Sequence, residues 1–116
     1  MNKNIKEKWV KALRSGKYTQ AKQALKIDNS FCCLGVLCDI YGKEKRIEWG
    51  KEVENPYREE VLCFPFLNSD SNLPEEVKNW AELESKNPNI EEVSLGQMND
   101  GGMSFLEIAD SIEKNL

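Results

Sequence analysis

The chain has 116 residues, 40% of them hydrophobic and 31% charged, with a formal charge of −4 and no histidine. That length bounds it to one domain, residues 1–116, with one modest core. The lack of histidine excludes Ser-His-Asp and Cys-His catalysis and imidazole metal ligation. No apolar run reaches the length of a membrane span, and the first residues carry mixed charge without an apolar stretch. These features predict a cytoplasmic protein with no membrane partner.

The charge is unevenly spread. Residues 1–30 hold eight Lys or Arg against Glu7 and Asp28, a net of +6, and residues 31–116 carry a net of −10. The two surfaces can attract each other, within the fold or in a homodimer or higher homo-oligomer. The basic third can also meet an anion such as a phosphate. Duplex DNA is a poor partner, because the larger acidic surface repels a polyanion.

In chain order, Ile5, Trp9, Ala12 and Leu13 recur at helical spacing and predict a helix over 4–15, capped by Asn4 and closed near Gly16. Trp9 reads as a core anchor. Residues 18–25 allow a short helix with Ala21, Ala24 and Leu25 on one face, and Asp28-Asn29-Ser30 marks a turn. The segment Phe-Cys-Cys-Leu-Gly-Val-Leu-Cys-Asp-Ile-Tyr over 31–41 has two readings, a strand that must tolerate Gly35 in its middle and, favoured here, a buried helix with Phe31 and Cys32 still extended and Gly42 as its end. Gly35 costs helix propensity there, which a close helix approach compensates. Asp39 either faces solvent or caps a neighbouring element.

Residues 46–49 alternate polar and apolar and predict a strand, as do residues 60–64. The two pair as a hairpin across a connection containing Asn55-Pro56. Pro74 with Glu75 and Glu76 opens a helix running to about Glu82, with Val77, Trp80 and Ala81 inward. Residues 90–93 add a short strand, and 94–98 a helical turn. Ser104 and Glu107 form a capping box for a last helix whose stripe is Phe105, Ile108, Ala109, Ile112 and Leu116. The fold class is α+β: three to four helices packed on a small antiparallel sheet or hairpin.

Cys32, Cys33 and Cys38 lie in apolar sequence and Cys63 stands apart, a pattern of reduced packing residues rather than zinc ligands or disulfides. No catalytic residue, metal site or cofactor is expected. The pairs Glu59-Glu60, Glu75-Glu76 and Glu91-Glu92 read as solvated faces. The cluster Arg14, Lys17, Tyr18, Gln20 and Lys22 is a candidate ligand site, where lysines hold phosphate and Tyr18, with Trp9, offers stacking. Asn99-Asp100-Gly101-Gly102 is either a tight turn leading into a cap or a backbone cradle for an anion, so Asn99 and Asp100 join the candidate ligand-binding residues.

Four pieces occur in order: W-V-K-A-L-R-S-G-K-Y-x-Q from Trp9, F-C-C-L-G-V-L-C-D from Phe31, L-P-x-x-V-x-x-W from Leu73 and M-N-D-x-G-x-S-F-x-E-I-A-D-x-I-E from Met98. Together they span nearly the whole chain, which resembles a family of small uncharacterised phage and prophage proteins. The resemblance implies a phage accessory protein acting in the bacterial host cytoplasm and says nothing about mechanism. Such a protein acts by binding. It either sequesters a nucleotide-derived signalling molecule used in host defence, or blocks a host defence protein through an acidic face around Glu52, Glu54, Glu59 and Glu60 that mimics nucleic acid. A small hydrolase using carboxylates or a cysteine is the third expectation.

Overall fold

The computed structural model describes residues 1–55 and 58–116, with backbone alone for 58–60. Helix α1 (Lys3–Arg14) starts at Asn2, not Asn4, because the Asn2 side chain accepts from the Ile5 N–H at 3.0 Å. Ile5, Trp9, Val10 and Leu13 form its buried stripe, and Gly16 follows its last residues with φ of +76°.

Residues 18–25 do not form the expected helix. They contribute β1 (Thr19–Gln20), which pairs in parallel with β3 (Ser30–Phe31), and β2 (Lys26–Ile27) pairs antiparallel on the other side of β3. Gln23 takes a left-handed φ of +65°, which breaks helical geometry between them. The backbone is claimed by tertiary bonds instead: Ala21 N–H donates to the Phe31 carbonyl at 2.8 Å and Leu25 N–H to the Asp70 carbonyl at 2.8 Å. The Asp28-Asn29 turn joins β2 to β3.

Helix α2 (Cys33–Lys45) is the centre of the molecule, with 33–38 buried on every side. Phe31 and Cys32 are extended, as expected, and the Cys32 sulfur caps the helix by accepting from Gly35 N–H at 3.3 Å. The close approach at Gly35 comes from the strand segment rather than a helix: a Cβ there would lie 1.9 Å from the Leu25 carbonyl oxygen. Gly42 does not end the helix. It lies inside it because a Cβ would meet the Ile47 carbonyl at 2.6 Å and the Phe66 ring at 3.1 Å. The helix ends at Arg46, in the left-handed conformation with φ 59°.

Residues 46–49 are not a strand. Strand β5 (Arg58–Cys63) pairs antiparallel with β4 (Val53–Asn55), from the stretch expected to be a connection, with a bulge between Glu54 and Asn55. Pro56 lies outside the described residues. Ile47 and Trp49 pack on the core as irregular chain, and that packing is what their alternation serves.

Helix α3 (Glu75–Trp80) begins after Pro74 and ends before Glu82, which has φ of +57°. Strands β6 (Asn89–Ile90) and β7 (Val93–Ser94) make a hairpin around Glu91 and Glu92. Helix α4 (Leu95–Asp100) includes Asn99 and Asp100, leaving Gly101 and Gly102 as the turn. Both α4 and α5 (Phe105–Asn115) carry complete capping boxes, Ser94 with Gln97 and Ser104 with Glu107.

The fold is therefore α+β with five helices among the described residues, two of them short, rather than three to four. Trp9, Leu34, Leu37, Phe66, Leu73, Val77, Leu95, Ile108 and Ile112 are fully buried in one core cluster. Helix α1 lies between α5 and α2. Arg14 closes the α1–α5 contact by donating to Asp110 at 2.6 Å and Glu113 at 3.0 Å. Among the described residues no helix is long and apolar enough to cross a membrane.

Candidate functional site

The outward face of α1 and the polar face of α2 flank a hollow of about 560 Å³. Lys8, Lys11 and Ser15 line it from α1, where spacings of three and four put them on one ridge, and Asp39 and Lys43 line it from α2. Lys17 closes the rim, and Tyr18 and Phe31 supply aromatic surface.

The walls are fixed by polar bonds and ring contacts. Asp39 Oδ2 accepts from the Tyr18 hydroxyl at 2.6 Å and pairs with Lys43 Nζ at 3.1 Å, and its Oδ1 accepts from Trp49 Nε1 at 3.1 Å. Burial opposes ionisation of Asp39, yet these bonds outweigh it and hold the carboxyl below its ordinary range. Burial, and then the bond to Asp39, raises the Tyr18 phenol well above its ordinary range, so it stays a neutral donor. Tyr18 and Trp49 each meet Phe31 edge-on, with centroids 5.1 and 5.7 Å away. The ring contacts continue through Phe66 and Tyr41 to Trp80. Lys26 Nζ sits 4.8–5.5 Å from the centroids of Phe31, Trp49 and Phe64.

Lys8 makes a long contact to Glu44 at 3.8 Å, and Lys43 is engaged by Asp39. Among the described residues, Lys11 and Lys17 make no ion pair. These two also line an adjoining hollow of about 720 Å³, which Lys3, Lys6 and Val10 border. Lys11 and Lys17 thus sit where the two hollows meet, and the adjoining hollow carries Glu7 and Glu113 beside Lys3 and Lys6.

The residues expected to bind ligand do not share one site. Lys17 and Tyr18 line the aromatic hollow. Arg14 borders only the adjoining one, with its guanidinium held by Glu113 and Asp110, which raise its pKa further. Lys22 is exposed and lines neither. Gln20 points inward, donating to Asn99 Oδ1 at 2.9 Å and the Met103 carbonyl at 2.8 Å. Asn99 is fully buried, and Asp100 accepts from Gln23 N–H at 2.8 Å. Trp9 offers no stacking surface: it is fully buried and donates to the Cys33 carbonyl at 2.9 Å. Sequence reasoning missed Lys8, Lys11, Phe31, Lys43 and Trp49 and left Asp39 open. The readable signal was the i, i+4 pair Asp39 and Lys43, the polar face of an otherwise apolar helix.

A third, smaller cleft of about 230 Å³ lies over Cys32, lined by polar groups that include Asn72, Asn87, Gln97 and Asp100. All four cysteines are buried free thiols. Burial pushes Cys32 up to about 12, and Cys33 and Cys38 well above the ordinary thiol range. At neutral pH these sulfurs are protonated and carry no nucleophilic thiolate. Among the described residues no cluster of cysteine or carboxylate side chains is arranged to hold a metal. Of the acidic face, Glu52 and Glu54 are exposed, and the side chains of Glu59 and Glu60 lie outside the description.

The chain belongs to a domain family of unknown function, DUF8296, whose family model matches residues 1–116. Comparison with curated proteins and with solved structures found no match.

Proposed function

We propose that this protein binds and sequesters a phosphate-bearing small molecule with an aromatic ring, a nucleotide derivative, without transforming it. The observation that carries the reading is the pairing of two unengaged ammonium groups, Lys11 and Lys17, with the aromatic surface of Tyr18 and Phe31 in one hollow. Phosphate takes the lysines as point charges and the ring takes the aromatic wall. Stacking supplies about 1–3 kcal/mol and two charged hydrogen bonds about 1.5–3 kcal/mol each. Before ordering costs, that sum corresponds to micromolar to millimolar dissociation constants. A second copy covering the open side would tighten it. The protonated thiols and the absence of histidine support binding over catalysis. In a phage accessory protein, such binding would withdraw a signal that triggers host defence.

Calorimetry against cyclic nucleotides and ADP-ribose derivatives tests this, with the ligand recovered after heat denaturation. A sequestering protein returns its ligand unchanged, and an enzyme returns product. Lys11→Glu with Lys17→Glu should abolish binding. If no nucleotide binds at millimolar concentration, and Lys17→Glu with Tyr18→Ala leaves protection of an infecting phage intact, a protein partner on the acidic face replaces this reading.

A further inference from the structure

Asp39 is an anion inside a site whose rim attracts anions. Its side chain is 14% exposed, and it lines the hollow with Lys11 and Lys17. A carboxylate offers about four lone-pair directions. Oδ2 uses its two on the Tyr18 hydroxyl and Lys43 Nζ. Among the described residues Oδ1 accepts from Trp49 Nε1 alone. One acceptor direction is therefore left on a carboxylate whose position is set by three donors. It repels a phosphate oxygen and suits a donor group. In a nucleotide the sugar joins the ring to the phosphate, so its hydroxyls are the donors that lie between a stacked base and a lysine-bound phosphate.

We infer that Asp39 is the specificity-determining residue of this hollow, its Oδ1 accepting a hydrogen bond from the 2′-hydroxyl of the sugar, so that the ligand class is ribonucleotides rather than deoxyribonucleotides. The inference rests on the nucleotide-binding reading above. Trp49 and Tyr18 act as positioning residues: they hold the carboxylate and leave Oδ1 able to accept. Lys43 offsets part of its charge, so the phosphate is not driven from the neighbouring lysines.

The test is calorimetric titration of the unmodified protein with AMP, deoxy-AMP, dideoxy-AMP and inorganic pyrophosphate. AMP should bind roughly 10- to 100-fold more tightly than deoxy-AMP, as expected for loss of one hydrogen bond to a charged acceptor. Asp39→Asn should shrink that ratio and bind pyrophosphate more tightly, because the repulsive charge is gone. A merely structural role for Asp39 would weaken all four ligands together. Equal affinity for AMP and deoxy-AMP overturns this inference and leaves the nucleotide-binding reading standing. Binding of no nucleotide, with or without pyrophosphate, overturns both. Should Asp39→Asn fail to fold, the ratio measured on the unmodified protein still decides.

Discussion

The side-chain oxygen of Asn99 accepts a hydrogen bond from the backbone N–H of Cys33, the first residue of α2, at 3.1 Å across 66 residues of sequence. The same oxygen takes Gln20 Nε2 at 2.9 Å, while the Asn99 amide donates to the Ala21 carbonyl at 2.7 Å. One buried amide thus ties α4 to the β1 segment and to the start of the central helix. Asn99→Leu would leave the Cys33 N–H and Ala21 C=O buried without partners. The expected loss is about 2–5 kcal/mol of unfolding free energy, read from urea denaturation. A loss below about 1 kcal/mol would mean that water reaches these groups.

Gly35→Ala places a methyl against a carbonyl that belongs to backbone and cannot swing aside. It should cost about 3 kcal/mol or more, the upper range for overpacking. Gly16→Ala is the contrast, since nothing lies within 4 Å of its Cβ position and only its φ of +76° resists the change. The cost there should be about 1–2 kcal/mol. Equal losses at the two sites would refute the distinction between lack of space and backbone conformation.

The β6–β7 turn holds Glu91 at φ 51° and Glu92 at φ 70°, two side-chain-bearing residues in the left-handed region that two-residue hairpins reserve for Asn and Gly. Glu91→Asn with Glu92→Gly should stabilise the fold by about 1 kcal/mol and raise Tm by roughly 4–8 °C. An unchanged Tm would show that the strain is relieved elsewhere.

Asp39 makes stability depend on acid. Because its folded pKa is lowered, its contribution is fully present above the unfolded value of about 3.9 and is lost as pH falls through the folded value. Tyr18 has the opposite sign. Its folded pKa is raised, so its contribution is present below about 10 and is lost as pH rises through the folded value. Asp39→Asn should lower stability at neutral pH and flatten the acid limb of a stability-against-pH curve. It should also move the Tyr18 phenol partway down towards its ordinary range in an ultraviolet titration, since burial, the larger cause, remains. An acid limb identical to that of the unmodified protein would remove Asp39 from this role.

The start of helix α5 was readable because its capping box and apolar stripe are local signals, although Leu116 lies just past its end. The burial of α2 was readable because an unbroken apolar run must be buried whatever its neighbours. Strand β4 was not: Val53-Glu54-Asn55 has a single apolar residue, and only its pairing with β5 defines it. The alternation at 46–49 misled because alternating chain can pack on a core without a ladder. Residues 18–25 have helical spacing, but a short helix yields to tertiary backbone bonds. The site shows the same division. Lys17 and Tyr18 were visible as a basic-aromatic cluster, whereas Asp39 gained its meaning from Tyr18, 21 residues before it, and Trp49, 10 after it.

Arg14 joins α1 to α5 across 96 residues, and α1 also carries the fully buried ring of Trp9. During synthesis α1 leaves the ribosome long before the helix that covers it exists. The part of its apolar stripe that faces α5 must then wait uncovered, or be shielded by a chaperone, until α5 has emerged. A nascent chain stalled before residue 105 would remain a target for proteolysis, and functional protein would accumulate only from completed synthesis.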